Sequence, residues 1–495
     1  MAGKDVGNSE EKEQKDIGIT VKKSEDFSEW YQQVILKSEF ADYSAVSGCI
    51  VYRPESYLIW EKIQRIVDAR LKKLGIKNCY FPLFIPERLL KKEATHLEGF
   101  SPEVAWVTHA GDTELDEKLA IRPTSETIMY DSFARWIRSW RDLPLRTAQW
   151  NNVVRWEFKH PVPFLRGREF LWVEGHTVFA SKAEAEHEGL EITQIWEDVL
   201  KEYLAVAFFT GRKSKKETFA GAEYTISLES VLPNNKAIQG PDFHHDGQIF
   251  AKAYDIKFLN KNGENEFAYQ NTWAISTRML GVMFGIHGDD NGVIVPPRVA
   301  ITHVAIVPIL YDDTMDQVLK ECRKLQEELS STMYHGETLG VLIDDSNYKP
   351  GWKYHHWELK GVPLRIEFGP KDLEKKQAVL VRRDTGVKIT VPLHEVTAKA
   401  KEILDEMQEH LYQKSVAIMN TAIITVHDMA AFEKALDERM IVYAPFCNSP
   451  ACEDQIKAQT GAKTLNSPLE QKNSEMKCVS CGSVTKEYFY FGRSY

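Results

Sequence analysis

Three clusters of polar residues carry side chains able to bind and polarise a charged substrate. The first is Ile121-Arg122-Pro123-Thr124-Ser125-Glu126-Thr127, at an expected helix start. A hydroxyl and a carboxylate beside free backbone N–H groups suit a small ligand bearing an ammonium or secondary amine. They suit a plain helix cap equally well, with Ser125 as the capping residue. The second cluster is Val154-Arg155-Trp156-Glu157-Phe158, followed by an Arg-rich stretch over 164–176. It reads as two strands and a connecting loop. Arg155 and Glu157 stand at i and i+2, as do Glu174 and His176, so each pair is expected on one strand face. The planar fork of Arg suits bidentate contact with phosphate, although an exposed, salt-bridged hairpin would use the same residues. The third cluster spans 271–283, where a strand ends in Ser276 and Thr277 and Arg278 opens a helix. A helix N-terminus with an Arg is a phosphate site by electrostatics, and is also how an ordinary capped helix begins.

A fourth set is chemically distinct. Cys447-x4-Cys452 and Cys478-x2-Cys481 hold four of the seven cysteines. Seven cysteines in 495 residues are too few for a disulfide scaffold. Two close pairs of thiols in an intracellular chain are instead zinc spacing, and a four-Cys site is closed and therefore structural. Four unliganded thiols are the alternative. Cys49, Cys79 and Cys322 read as buried or idle.

Several elements must position these groups. Residues 54–75 have the 3.6-residue period of an amphipathic helix, stopped by Gly75. A second helix is expected over 125–140 and a third over 183–204. Residues 147–180 alternate aromatic and charged side chains, as strands with one buried face do. Residues 216–295 are mostly strand-like, with turns at Asn234-Asn235 and Asn262-Gly263. Pro296-Pro297 marks a boundary. Beyond it, strands at 304–310 and 340–343 alternate with a helix over 313–330, the pattern of an α/β unit. A long helix over 396–413 leads to the cysteine tail.

Composition fits about three domains. Hydrophobic residues are 43% and charged residues 27%, so the chain can bury real cores. The net charge of -10 argues against coating by nucleic acid, but not against a local basic patch. No run of 18 apolar residues occurs, which excludes a spanning helix and leaves no membrane partner expected. Residues 1–16 are polar and lack the apolar segment of a secretory signal, so they are expected to form a disordered tail on a cytoplasmic protein.

Together, Thr-Ser-Glu, then Arg-Trp-Glu with a loop Arg, then Ser-Thr-Arg before a helix follow the motif order of class II aminoacyl-tRNA synthetases. The runs 155–161, 164–176, 267–278 and 287–298 narrow the likeness. They resemble prolyl-tRNA synthetases of the eukaryotic and archaeal type, over nearly the whole chain after about residue 18. The ending Phe491-Gly492-Arg493-Ser494-Tyr495 is shared with that group. The resemblance implies an α+β fold with an antiparallel catalytic sheet flanked by helices. An α/β anticodon-binding domain and a small C-terminal α/β zinc-binding domain would follow. The divisions are a tail at 1–18, a catalytic domain at 19–297, an anticodon-binding domain at 298–404 and a C-terminal domain at 405–495. The tail domain would pack on the catalytic domain, with Tyr495 directed toward the active-site region.

The implied activity has two steps. Proline and ATP give prolyl-adenylate, and the terminal ribose of tRNA(Pro) then takes the prolyl group. By resemblance, Arg155 and Arg278 are the catalytic pair, on the α-phosphate and the outer phosphates. Glu157, Arg166, Gln239, Asp242 and Thr277 complete the ATP set, with Mg2+ bridging phosphates. The proline set is Phe100, Thr124, Glu126, Arg155, Trp172, Glu174, His176, Phe219, His244 and Ser276. Glu358 and Arg365 would read anticodon guanines. Cys447, Cys452, Cys478 and Cys481 would hold Zn2+. The run over 81–86 would lie in a homodimer interface. Fewer than a hundred residues separate Glu174 from Thr272, too few for an inserted editing domain.

Two departures stand out. Pro241-Asp242-Phe243 replaces small residues, with Asp242 where a Thr is usual, and Ala274 replaces a Gly. A carboxylate near triphosphate repels it unless it faces away or binds a cation. A synthetase for threonine, glycine or histidine is the nearest alternative. The run Arg-Trp-Glu-Phe-Lys-His-Pro and the cysteine tail argue against it. A non-catalytic RNA-binding paralogue is the other, and the presence of Arg155, Arg278, Glu126 and Glu174 argues against that.

Overall fold

The computed structural model describes residues 18–94, 103–157, 160–471 and 474–493. The expected tail, Phe100, Ser494 and Tyr495 lie outside the described residues, apart from Gly18.

Helix α1 (Phe27–Lys37) begins at Asp26, whose carboxylate accepts from the Ser28 and Glu29 amides, and it buries Trp30, Tyr31, Val34 and Ile35. Helix α2 (Pro54–Lys73) opens on proline, which costs nothing in a first turn. Its apolar stripe of Ile59, Trp60, Ile63, Val67 and Leu71 is buried, as the sequence period demands. Strand β1 (Lys77–Asn78) follows. Helix α3 covers Glu126–Trp136, not 125–140. The chain turns extended at Ile137, and Trp140 sits in a separate 3-10 turn, Trp140–Asp142. Ser125 does not cap α3 with its side chain, because its hydroxyl donates to Glu174 instead.

The catalytic sheet is built from β1, β2 (Leu145–Val154), β3 (Glu169–Phe179), β4 (Phe209–Arg212), β5 (Tyr224–Val231), β6 (Ala237–Gly247) and β7 (Tyr269–Ser276). Its order is β4-β5-β6-β7-β3-β2-β1, antiparallel except for the β1–β2 pair. The segment between β3 and β7 is spent on helix α4 (Lys182–Asp198), strands β4 to β6 and a short helix at Ile249–Tyr254. One face of the sheet packs on α1, α4 and α5 (Arg278–His287) through Trp196, Phe243, Trp273 and Phe284. Glu174, His176, His244 and Thr272 of the sheet line a common cavity.

The next unit contains β8 (Val304–Pro308), α6 (Met315–Ser330), β9 (Val341–Ile343), α7 (Pro350–Leu359), β10 (Leu364–Phe368), β11 (Gln377–Arg382) and β12 (Lys388–Pro392). Its sheet runs β9-β8-β10-β11-β12, with β8 parallel to both neighbours and the rest antiparallel. The core is Val304, Ile306, Leu325, Leu364, Ile366 and Leu380. Helix α8 runs from Val396 to Ala422, nine residues past the expected end at 413. The extension is held by the catalytic unit, where Ser415 Oγ accepts from the Ala207 amide at 2.8 Å. The catalytic and central units also meet at a clamp. Arg383 donates to both carboxylate oxygens of Asp289, at 2.7 and 2.6 Å, and to the Glu358 carbonyl at 2.7 Å.

The C-terminal unit has β13 (Ile423–Thr425), α9 (Met429–Asp437), β14 (Ile441–Pro445), α10 (Pro450–Thr460), β15 (Lys463–Thr464), β16 (Ser467–Pro468) and β17 (Tyr488–Gly492). Its sheet runs β13-β14-β17-β15. Strand β16 leaves it and pairs antiparallel with β4, adding an eighth strand to the catalytic sheet. The tail domain therefore packs on the catalytic unit as expected. Among the described residues, no helix is long and apolar enough to cross a membrane.

Candidate active site

Alternate residues of neighbouring strands share a sheet face, and this rule gathers the site. Glu174 and His176 of β3 stand opposite Ala274 and Thr272 of β7, and Thr272 stands opposite His244 of β6. With Thr124 and Glu126 at the start of α3, they enclose a cavity of about 270 Å³. Arg155, Trp172, Phe219, Gln239 and Asp242 also line it.

At one end, the Thr124 hydroxyl donates to the Glu126 carboxylate, and both residues are buried. Glu174 is engaged on every side. It accepts from the Ser125 amide at 3.1 Å, the Asn151 amide group at 2.7 Å and His176 Nε2 at 3.1 Å. Burial pushes its pKa up, but His176, Ser125 and Asn151 outweigh that and hold it below the usual range. Burial works against a charged His176, yet Glu174 and Glu126 raise its pKa. Glu174 is thus a strut with its lone pairs spoken for, and Glu126 is the carboxylate with acceptor capacity to spare. Trp172 and the Phe219–His244 pair form apolar walls, the latter with ring centroids 4.6 Å apart. Trp172 is fixed by its indole N–H, which donates to Asn151 Oδ1 at 2.6 Å.

The other end is cationic. Arg155 donates to the Pro123 carbonyl at 2.9 Å, with its guanidinium 5.3 Å from the Trp172 ring centroid and 5.5 Å from that of Phe170. Arg278, first residue of α5, is held by the Leu165 and Gln239 carbonyls at 3.2 Å. Its pKa is drawn down, first by burial and then by the positive charge of Arg155, with Arg166 adding to the effect. Crowded cations beside a helix N-terminus suit an anion. Asp242 projects into this end. Its carboxylate lies 3.0 Å from Gln239 Nε2 and 3.5 Å from His244 Nε2. Burial raises its pKa, but His244, Arg155 and Lys213 together leave it lowered and ionised at neutral pH.

Several expected residues lie elsewhere. Strand β2 ends at Val154, so Arg155 and Glu157 do not share a strand face, and Glu157 is exposed in a turn outside the cavity. Thr277 is buried and turned away, its hydroxyl hydrogen-bonded to Tyr52 at 2.8 Å. Ser276 lies past the cavity wall and accepts from the Arg278 amide at 3.3 Å. Arg166 lines a neighbouring pocket with Cys49 and Tyr52. Sequence reading missed Gln149 and Asn151, which stand opposite Glu174 and Trp172 across the β2–β3 pair. The signal was there, since Gln149 and Asn151 stand at i and i+2 of one strand and so share a face, where paired amides suit buried acceptors. It also missed Lys213 and Glu217, which line the cavity from the segment after β4. That segment is braced by the C-terminal unit. Ser214 donates to Glu453 at 3.0 Å, and the Lys215 amide to Asn448 at 3.0 Å.

Glu358 and Arg365 line a second cavity of about 120 Å³ with Arg382, Arg383 and Lys388. The four tail cysteines converge, with ligand atoms all within 4.8 Å of one another. Cys447 Sγ lies 3.6 Å from Cys452 Sγ and 3.8 Å from Cys481 Sγ. Four sulfurs at about 2.3 Å from a tetrahedral Zn2+ are about 3.8 Å apart, so the donor set fits that ion.

Three domain families match the chain. They are described as tRNA synthetase class II core domain (G, H, P, S and T) at residues 106–287, anticodon binding domain at 303–403, and prolyl-tRNA synthetase, C-terminal, at 429–495. The chain is 45% identical to the cytoplasmic proline–tRNA ligase of Arabidopsis thaliana, over 98% of this chain and 92% of that protein. The chain belongs to the proline–tRNA ligase family. A proline–tRNA ligase of Clostridium botulinum is 43% identical, over 95% of this chain and 97% of its own. A crystal structure of prolyl-tRNA synthetase from Cryptosporidium parvum, complexed with halofuginone and AMPPNP, superposes with a TM-score of 0.92 at 41% identity. It covers 97% of this chain and 100% of that one. Proline–tRNA ligase membership fixes the fold class and makes the protein an aminoacyl-tRNA ligase that uses ATP, L-proline and tRNA.

Proposed function

We propose that the cavity on the catalytic sheet carries out both steps of proline–tRNA ligation. The observation that carries this reading is the polarity of one cavity, with Glu126 and Thr124 at one end and Arg155 at the other, where Arg278 donates to the carbonyl of the lining residue Gln239. A secondary amine between apolar walls would be held by Glu126 and Thr124, and its carboxylate would face the cations. Attack of that carboxylate on the α-phosphorus expels pyrophosphate. The terminal ribose hydroxyl of tRNA(Pro) then attacks the mixed anhydride and AMP leaves. Neither step needs a protein nucleophile, so positioning and charge neutralisation are the catalytic work. Arg155 serves the α-phosphate and Arg278 the outer phosphates, with Gln239 and Arg166 assisting and Mg2+ as the counter-ion of ATP.

The domain divisions at residues 297 and 404 are part of this reading, supported by the family matches on either side. Helix α8 spans the second division, so that boundary is a rigid rod rather than a linker. Glu358 and Arg365 are assigned to anticodon guanines, and the four cysteines to a structural Zn2+. Tyr80, Phe84, Trp106 and Trp136 are all more than two-fifths exposed, an apolar surface suited to a homodimer interface. The cytoplasm is the proposed compartment, as for the plant relative.

ATP–pyrophosphate exchange with each standard amino acid is the test. Exchange dependent on proline, followed by charging of tRNA(Pro), is expected. Exchange with another amino acid would overturn the substrate, and none with any would overturn catalysis.

A further inference from the structure

Tyr348, Trp352 and His356 form a column of rings along one side of α7. Tyr348 and Trp352 stack with centroids 3.9 Å apart and planes at 20°. Trp352 and His356 follow at 5.0 Å and 10°. The inner end is closed, with Trp357 edge-on to His356 at 4.9 Å and 84°. The outer end is open, and Tyr348 is 58% exposed.

Part of this arrangement is local. Tyr348 precedes the N-cap Lys349, and an apolar residue there commonly packs on the first turn of its helix. That role needs apolar area only. It does not need three near-parallel rings, and it does not leave the outer ring more than half in water. The column also borders the second cavity, since Trp357 belongs to both. The residue after Tyr348, Lys349, is exposed.

An open aromatic face is sequence-tolerant towards nucleobases, because every base has a π-face, and unpaired bases are bound in this way. The domain matches an anticodon-binding family over 303–403. We propose that the outer face of Tyr348, backed by Trp352 and His356, is a stacking platform for an unpaired base of the tRNA anticodon arm. This base lies next to those read in the Glu358–Arg365 cavity. The inference rests on the tRNA-ligase reading and adds a contact that no hydrogen-bonding residue of that cavity supplies.

The test uses the full-length protein and measures tRNA(Pro) affinity for Tyr348→Ala, Tyr348→Leu and Tyr348→Phe, with Arg365→Ala alongside. Proline-dependent pyrophosphate exchange, which needs no tRNA, reports that each variant is folded. Tyr348→Ala and Tyr348→Leu are expected to weaken tRNA binding roughly 5- to 100-fold. Tyr348→Phe should keep it, because the π-face survives. The slope of log Kd against log salt should not change, since no phosphate contact is lost. If Tyr348→Leu binds normally while Arg365→Ala does not, the platform is wrong and the anticodon assignment stands. If both bind normally, both are wrong. Dissociation of a dimer by Tyr348→Ala with unaltered tRNA affinity would assign the column to a second copy of the chain and overturn the proposal.

Discussion

Asp242→Asn should make the enzyme bind ATP more tightly. Asp242 lies within the fields of Arg155 and Arg278, which are assigned to phosphates, and it is ionised at neutral pH. A phosphate charge held between the arginines would sit roughly 7 Å from it, where two like charges cost about 2.4 kcal/mol at an effective dielectric of about 20. The positive side of His244, 3.5 Å away, and dissolved salt reduce that cost. A net gain of about 1–2 kcal/mol is left, or a fall of roughly 5- to 30-fold in KM for ATP. Asn keeps the shape and can still meet the Gln239 side chain, so packing should not obscure the effect. The assay is proline-dependent pyrophosphate exchange, with KM for ATP measured at low and high salt. The gain should shrink as salt rises, and KM for proline should move little. A KM for ATP that rises in Asp242→Asn, and rises further at low Mg2+, would refute the repulsion argument. The carboxylate would then be holding the cation that accompanies ATP.

Other outcomes follow from the same geometry. Glu126→Gln should raise KM for proline by roughly 10- to 100-fold, because a hydrogen bond to a charged group is worth about 1.5–3 kcal/mol. KM for ATP should stay put in the same exchange assay. Cys478→Ser, or removal of metal by a chelator, should release about one Zn2+ per chain and expose the tail unit to protease. It should also raise KM for proline several-fold, because that unit braces the segment carrying Glu217 and Phe219. His287 is pushed down to about 3 by burial and by Lys414 and Lys23, and His303 to about 3 by burial and Lys62. Both are neutral when folded and take a proton in the unfolded chain below the ordinary value of 6.5. Their contribution to stability is therefore full above pH 6.5 and falls towards pH 3, by roughly 2 kcal/mol per histidine at pH 5. Denaturant titrations at pH 7 and pH 5 measure this by difference, and a His287→Gln variant that still folds should lose roughly 2 kcal/mol less than the wild type between the two.

Much of the architecture was legible because it is local. The stripe of Ile59, Ile63 and Val67 announces α2, and the i, i+2 pairing of Glu174 with His176 announces a polar strand face. The second and third motifs, distant in sequence, meet in one cavity because β3 and β7 are neighbours, and the first joins them from the start of α3. What escaped was decided by tertiary contact. Strand β2 stops at Val154, short of the Arg155–Glu157 pair that its alternation suggested, which leaves Glu157 in a turn. The Ser125 hydroxyl abandons its helix cap for Glu174, a partner 49 residues away. Strand β16 is two residues long and has no period to read, yet it closes the sheet edge from the far end of the chain. Helix α8 outruns its expected end because its last turns have a surface of the catalytic unit to lie on.

The clamp of Arg383 on Asp289 has a consequence for how such chains can be recombined. Around it, Lys360 pairs with Glu39, and the Val293 and Val295 amides donate to the Leu359 and Gly361 carbonyls. Gly292 and Gly361 adopt positive φ, where any Cβ would strike the opposing backbone at 2.5 Å. A graft that exchanged the RNA-reading half of this protein for a homologue's, cut at residue 297, would put one lineage's arginine against another's loop. The seam would have to travel with the graft, including Glu39 and residues 289–295. A substitution on one side of the seam is constrained by the side it faces.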